Sequence, residues 1–144
     1  MADLKAKSRK RWRDRGYHVE NGETMMHAPG GIVRRHDVFG FADLIAVPMK
    51  APERPVWDGG AVLPTRWIWI QSTSWSNATA RLRKIQREAA GQGQWARPIR
   101  ELARAVLVRG DLILIEGWRR KKNSRLYEVR EIWITMEDLE DDNA

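Results

Sequence analysis

Two short apolar segments constrain the fold of this chain more than any other feature of its sequence. Residues 41–47 and 66–71 are rich in aromatic and aliphatic side chains, and tryptophan alternates with isoleucine in the second segment. A strand with two apolar faces is typical of the centre of a sheet that is covered on both sides. The two segments therefore predict buried strands in a central sheet.

A single aspartate, Asp43, interrupts the first apolar segment between Ala42 and Leu44. Because an unpaired buried charge is costly, something must compensate this carboxylate. A metal ion is one candidate, and a cationic side chain such as Arg34 or Arg81 is the other. Asp43 is therefore the strongest candidate for a functional carboxylate in the chain.

Two further acids are weaker candidates. Asp37 lies six residues before Asp43, behind Gly40, and a turn at that glycine would bring it toward the same end of the sheet. Glu20 lies on a predicted hairpin whose turn is the Asn-Gly pair at residues 21–22, and the sequence does not identify its partner in space. Asp37 is the better placed of the two.

The charge balance favours a polyanionic partner. The 144 residues include 26 Lys and Arg against 19 Asp and Glu, and five of the acids fall within residues 137–142, so the rest of the chain is more basic than the net charge of +7 implies. The absence of cysteine excludes disulfides, thiolate zinc sites and a cysteine nucleophile. No apolar run approaches the ~20 residues that span a membrane, and no secretory signal is evident. We expect a cytoplasmic protein (host-cell cytoplasm if the source is viral).

The order of the predicted elements indicates an α/β fold in a single domain at residues 1–144, with an acidic tail at 136–144. The fold class is a mixed central sheet flanked by helices with a C-terminal β-hairpin, or α+β if the hairpin stands apart. In order, the predicted elements are a basic helix at 2–15, a hairpin at 17–27, a loop with Arg34 and Arg35, the two apolar strands joined by a loop at 48–64, helices at about 76–90 and 99–108, and the hairpin formed by 112–118 and 126–135.

Several groups of cations are candidates for binding nucleic acid, with DNA the favoured partner. Those on the second helix share one face because they are spaced by three residues. The basic run of the first helix is either a solvated surface or a phosphate-contacting edge. Trp75, at the end of the second apolar strand, either packs or stacks on an unpaired base. The candidate cations are Arg34, Arg35, Arg81, Lys84, Arg87, Arg119, Arg120, Lys121 and Lys122.

Short motifs around these positions resemble those of the PD-(D/E)XK nuclease superfamily. The Gly-Phe-Ala-Asp-Leu-Ile-Ala run at residues 40–46 is similar to archaeal and phage Holliday-junction-resolvase-like proteins. Related phage proteins share a run similar to Gln-Ser-Thr-Ser-Trp-Ser-Asn at residues 71–77, followed here by Arg81 and by Lys84-Ile85. The resemblance extends from about Trp12 to Ile115.

The resemblance implies a restriction-endonuclease-like fold, a homodimer, and a Mg²⁺ or Mn²⁺ ion bound by an aspartate and a second acid. Asp43 matches the aspartate, whereas Gln71 stands in place of the second acid and Thr73 in place of a lysine that steadies the phosphate. The glutamate often seen in the first helix of resolvases is also absent. Lys84 or Arg81, on the following helix, could supply the missing positive charge.

These observations predict a Mg²⁺-dependent endonuclease that acts on DNA, with branched DNA as a candidate substrate. Asp43 and Gln71 would bind the metal, Asp37 would complete or orient the site, and Lys84 would assist the phosphate. One alternative is a nucleic-acid-binding protein that has lost catalysis on the same scaffold. The other is a basic structural protein whose tryptophans build a subunit interface.

Overall fold

A five-stranded mixed sheet forms the centre of the molecule. The computed structural model describes residues 3–22, 24–27, 33–36, 39–49, 57–58, 61–62, 66–91 and 93–140. The helices are α1 (Leu4–Asp14), α2 (Ala78–Arg87) and α3 (Ile99–Arg109), and short 3₁₀ turns span Trp75–Asn77, Gly93–Trp95 and Glu137–Leu139. The strands are β1 (Tyr17–Asn21), β2 (Thr24–His27), β3 (Val33–His36), β4 (Leu44–Pro48), β5 (Trp57–Asp58), β6 (Ala61–Val62), β7 (Ile68–Ser74), β8 (Ala89–Ala90), β9 (Arg97–Pro98), β10 (Leu112–Arg120) and β11 (Tyr127–Trp133).

The strands of the large sheet follow the order β1-β4-β7-β10-β11. β7 and β10 are parallel, while the pairs β1–β4, β4–β7 and β10–β11 are antiparallel. The helices α2 and α3 lie in the connection between the two parallel strands, as a parallel pair requires. The predicted α/β class with a mixed sheet is confirmed.

Apolar side chains cover both faces of this sheet. On one face, Trp12 of α1 packs in a cluster with Ile68 and Ile70 of β7. On the other face, Trp69 of β7 packs in a cluster that includes Ile85 of α2. The alternation of tryptophan and isoleucine in the second apolar segment predicted a buried central strand. This prediction is confirmed, because β7 is the middle strand and is buried on both sides.

The helix ends follow from local sequence signals. Asp3 caps α1, since its Oδ1 accepts a hydrogen bond from the Ala6 N–H at 3.1 Å. α3 ends at Gly110, which has a left-handed backbone (φ 104°) that glycine adopts readily.

Residues 136–140, predicted as the start of an acidic tail, pack against the helices. Leu139 is fully buried, and its carbonyl accepts a hydrogen bond from Arg104 at 2.8 Å.

The predicted hairpin at residues 17–27 is wrong. β1 pairs with β4 in the central sheet, and β2 pairs instead with β3. The N–H of Gly22 donates to the Asp43 carbonyl at 2.8 Å, so long-range sheet pairing overrides the local preference of the Asn-Gly pair for a tight turn. Arg34 and Arg35, predicted on a loop, lie on strand β3.

The described helices include none that is both long enough and apolar enough to cross a membrane.

Candidate active site and nucleic-acid interface

The parallel pairing of β7 and β10 gathers polar residues at one edge of the sheet. Both strands end there, and the antiparallel neighbours β4 and β11 begin there, because Leu44 pairs with Ile70 and Arg119 pairs with Glu128. The ends of parallel strands are where open α/β sheets commonly bind ligands. We call this part of the molecule, at the carboxyl ends of β7 and β10, the polar edge. It is defined by Asp43, residues 71–74 and residues 116–120.

Asp43 lies immediately before β4 and not within a strand as the sequence predicted, and the adjacent strand β7 holds its side chain. One carboxylate oxygen, Oδ1, accepts a hydrogen bond from the Ser72 N–H at 3.1 Å. The other, Oδ2, lies 3.5 Å from the amide nitrogen of Gln71. Asp43 is 5% exposed and Gln71 is 4% exposed. The structure thus brings together the two residues that the sequence placed at a metal site.

The other predicted catalytic residues are less closely associated. Thr73 is buried on the same face of β7 as Gln71, as strand alternation requires. Lys84 lies half-buried on α2, which packs on that face, and its side chain makes no hydrogen bond or ion pair with another described residue. Asp37, the remaining candidate, falls outside the described residues.

A chain of hydroxyl hydrogen bonds ties α1 to the polar edge. Ser8 of α1 is fully buried, and its Oγ donates to the Oγ of Ser72 at 2.9 Å. Ser72 in turn donates to the Leu4 carbonyl at 3.0 Å, and the indole N–H of Trp118 donates to Ser8 at 2.9 Å. Since Ser72 also holds Asp43 through its backbone, α1 is anchored beside the candidate carboxylate.

A second buried carboxylate, Glu116, was not predicted from the sequence. It lies on β10 directly opposite Ser72 and is 0% exposed. The indole N–H of Trp12 donates to its Oε1 at 3.0 Å, and the guanidinium of Arg11 binds its Oε2. Its sequence signal is the same as that of Asp43, namely a lone acid after the apolar run at 112–115. Glu116 therefore belongs to the polar edge.

Burial raises the pKa of Glu116 above its ordinary value. The charge of Arg11 and hydrogen bonds from Trp12 and Arg11 oppose this rise without cancelling it. A carboxylate that is enclosed and paired in this way holds structure together, and it has no open side toward a substrate. We therefore assign Glu116 a structural role at the polar edge.

The same arginine holds a third carboxylate at the rim of the sheet. Arg11 also binds Glu131 of β11, which accepts a hydrogen bond from the Trp133 indole at 2.8 Å. Burial of Glu131 opposes ionisation, but the hydrogen bonds from Arg11 and Trp133 and the charges of Arg11 and Arg15 outweigh it, so the pKa of Glu131 is lowered. Arg11 therefore bridges β10 and β11.

The donor set at Asp43 fits a magnesium ion in a minimal way. No group of three or more His, Cys, Asp or Glu side chains with the geometry of a metal site occurs among the described residues. Mg²⁺ needs only one or two carboxylates, with waters and substrate phosphates completing its shell. Asp43 supplies one carboxylate. The Gln71 amide nitrogen faces it at 3.5 Å, and a half-turn of that amide would present an oxygen at the same place.

The connection between β10 and β11 concentrates positive charge beside the polar edge. It lines a surface concavity through Arg120, Lys121, Asn123, Ser124 and Arg125. Arg119 is paired with Glu128 (Nε to Oε1, 2.6 Å), and Arg120 donates to the Ser124 carbonyl at 3.3 Å. We call this segment, residues 119–125, the basic turn. Its cations are Arg119, Arg120, Lys121, Lys122 and Arg125.

Three of these cations are well suited to contact phosphates. Lys121, Lys122 and Arg125 are exposed, and they form no ion pair with any residue in the described ranges. The predicted cations of α2 are less uniform, because Arg81 and Lys84 are half-buried whereas Arg87 is exposed. The cations of the basic turn are thus more accessible than Arg81 and Lys84 of α2.

The other predicted cations, Arg34 and Arg35, lie on the β2–β3 pair, and their side chains fall outside what the structure describes.

Comparison of the chain with models of known protein families, with curated proteins and with solved structures gave no match. The function is therefore inferred from the geometry of the polar edge and the basic turn.

Proposed function

We propose that this protein is a Mg²⁺-dependent endonuclease that acts on DNA and has a restriction-endonuclease-like fold. The observation that carries the proposal is the placement of Asp43 beside Gln71 at the edge of the sheet from which the basic turn extends. Arg119 follows Glu116 by three residues, and Glu116 lies opposite Ser72, so the basic turn begins about 10 Å along the strand from Ser72. Cations at that distance can hold phosphates that flank the one at Asp43.

The topology supports the same proposal. The resemblance depends on a strand bearing the aspartate, followed along the chain by a strand ending in acid-X-Lys and then by a basic helix. β4 and β7 are adjacent in the sheet, and α2 follows β7 after one 3₁₀ turn. The order of β4, β7 and α2 therefore matches the order on which the resemblance depends.

The residues of the polar edge would divide the chemical work between them. When bound, a magnesium ion would polarise a phosphoryl oxygen and lower the pKa of a water molecule. Asp43 would provide the anionic ligand, and the Ser72 N–H fixes the orientation of its carboxylate. Gln71 would provide a neutral oxygen. Burial of both side chains strengthens the electrostatic interactions that they make.

The proposal is tested by incubating the protein with supercoiled plasmid and with branched DNA in Mg²⁺, in Mn²⁺ and in EDTA. We expect metal-dependent nicking that is lost in EDTA. The absence of nicking in either metal, at protein concentrations where DNA is bound, would exclude the endonuclease and favour a DNA-binding protein without catalysis.

The second candidate is a DNA-binding protein without catalysis. Two observations favour it: Thr73 cannot supply the positive charge expected at its position, and Asp43 is nearly enclosed. A binding protein of this kind would bind DNA in EDTA through the basic turn and would leave the DNA intact in Mg²⁺. Binding and cleavage assays on the same DNA separate the two functions.

Binding to duplex DNA is expected to depend steeply on salt because the basic turn acts through phosphates. Each phosphate contact contributes about −0.9 to the log–log slope of affinity against salt, so replacing Lys121 and Lys122 with glutamine should reduce the slope by about 2. Arg109→Gln is the matched control, since Arg109 lies at the opposite end of β10 and is well exposed. Its slope should equal that of the wild type. An unchanged slope in the lysine variant would exclude the basic turn as the interface.

Restoring the second acid by Gln71→Glu should make stability depend on Mg²⁺. The new carboxylate would lie beside Asp43, and two enclosed carboxylates repel each other unless a cation separates them. We expect destabilisation in EDTA and a recovery of about 2.7 kcal/mol at a Mg²⁺ concentration 100 times the dissociation constant. Urea denaturation measures both effects. Gln71→Met, which adds no ligand, is the control, and equal responses of the two variants to Mg²⁺ would argue against a metal at this position.

A further inference from the structure

Trp75, beside the polar edge, contacts two arginines. Its ring follows β7 directly, in the first 3₁₀ turn. The guanidinium carbon of Arg119 lies 3.7 Å from the centre of the ring, and that of Arg130 lies 5.4 Å from it. Arg130 is held in turn by a hydrogen bond from its Nη2 to Thr79 of α2, at 3.0 Å. The indole therefore packs against two guanidinium groups.

Arg119 is oriented by a carboxylate while much of its side chain stays accessible. Its Nε donates to Glu128 Oε1 at 2.6 Å, across the antiparallel pair of β10 and β11. The Arg119 side chain is 52% exposed. Glu128 offsets the positive charge that a phosphate would otherwise meet, so Arg119 is less suited than its neighbours to hold the DNA backbone. What remains for a ligand is the planar surface of the guanidinium.

The backbone of β10 makes room for this arrangement at Gly117. A Cβ added there would lie 3.2 Å from the Trp75 Cα and 3.0 Å from the Ala78 Cβ, closer than ordinary contacts. Glycine thus permits the 3₁₀ turn that carries Trp75 to approach the strand that carries Arg119. The close approach places the indole directly behind the guanidinium.

We propose that Arg119, backed by Trp75, is a stacking platform for an unpaired nucleobase of a DNA substrate. Unpaired bases stack on aromatic rings and on guanidinium planes, and such stacking is largely independent of sequence. Lys121 follows Arg119 by two residues, is exposed, and would hold a phosphate beside that base. The proposal rests on the proposed function and narrows its substrate to duplexes with single-stranded nucleotides beside them.

The test compares two duplexes that differ only in the bases of a short single-stranded overhang. One overhang carries thymines and the other carries abasic nucleotides, so the number of phosphates is the same. Dissociation constants are measured in EDTA by fluorescence anisotropy. We expect wild-type protein to bind the thymine overhang about tenfold more tightly than the abasic one.

Arg119→Lys is the decisive variant because it keeps the positive charge opposite Glu128 and removes the planar surface. The thymine preference should fall to about twofold, with little change in affinity for the abasic duplex. Lys121→Gln is the control, and it should weaken binding to both duplexes equally and leave the preference intact. Thermal unfolding of each variant verifies that it is folded.

The possible results separate this inference from the proposed function. If the wild type binds both overhangs equally, or if Arg119→Lys keeps the tenfold preference, the platform is wrong and the endonuclease proposal stands. If neither duplex binds even at low salt, both proposals fail. A preference that is lost in Arg119→Lys and kept in Lys121→Gln supports the platform.

Discussion

Replacing Arg11 with methionine is expected to lower the free energy of unfolding by about 3–5 kcal/mol, the usual effect of removing one partner from a buried ion pair. Arg11 is the cation that two carboxylates share, and one of them, Glu116, is completely enclosed. Methionine has a similar length and packs well, so the loss would come from the charge and not from a cavity. Urea denaturation at neutral pH gives the value.

The deficit of this variant should shrink as the pH is lowered. Burial already raises the pKa of Glu116 above the ordinary 4.5, and the charge of Arg11 opposes that rise. Without Arg11 the folded-state pKa rises further, so the folded protein takes up a proton that the unfolded chain lacks, and stability is regained as the pH falls through the new pKa. Glu131 narrows the deficit as well. Its lowered pKa, to which Arg11 contributes, gives the wild type stability above the unfolded value, and the wild type loses this stability as the pH falls.

Lys10→Met provides a control one residue away on the same helix. Lys10 pairs with Asp14 at 2.6 Å, but its side chain is 77% exposed, and exposed pairs contribute less than about 1 kcal/mol. The two variants should therefore differ several-fold in their effect on stability. If Arg11→Met were as mild as Lys10→Met, the buried cluster would not be a principal tie between α1 and the sheet.

Asp43→Asn should reduce metal-dependent nicking by about 100-fold or more while leaving DNA binding nearly unchanged. The substitution preserves size and removes the charge that would hold the metal, and a lost electrostatic contact at a reacting centre commonly has an effect of this size. The nicking rate is measured in Mg²⁺ with saturating protein. Binding is measured in EDTA, where the loss of a negative charge should if anything favour DNA.

Asp111→Asn is the matched control for this experiment. Asp111 is also a buried aspartate, and it accepts a hydrogen bond from the Trp69 indole at 3.2 Å at the start of β10, far from the polar edge. It should retain wild-type nicking once stability is accounted for. Equal nicking by wild type and Asp43→Asn would show that the activity comes from elsewhere in the molecule or from a contaminant.

The features that the sequence predicted well are those that depend on local pattern. The alternation in residues 66–71 predicted a central strand, and Asp3 and Gly110 marked helix ends, because each signal acts within a few residues. Asp43 was singled out by its apolar neighbours alone. Its pairing with Gln71 was implied by the resemblance, and it requires the two apolar segments to be strands of one sheet, which β4 and β7 are.

The features that could not be predicted depend on contacts between distant parts of the chain. Ser8 and Trp118 are 110 residues apart, and nothing in either local sequence indicates that their side chains meet. The sequence marks Glu116 as a lone acid after an apolar run. It does not indicate that Arg11, among the many cations of the first helix, is its partner. The hairpin prediction at Asn21-Gly22 was wrong for the same reason, since a distant strand, β4, pairs with β1.

The long sequence separation of the Arg11 contacts has a consequence for synthesis on the ribosome. Arg11 is synthesised well before its two carboxylate partners, which follow 105 and 120 residues later. The helix that carries it therefore waits, without its anchoring partners, until β10 and β11 have been translated. A nascent chain that stalls before β10 has a cationic helix without its anchor, and the surface around Asp43 takes its final form only after β10 and β11 have been translated.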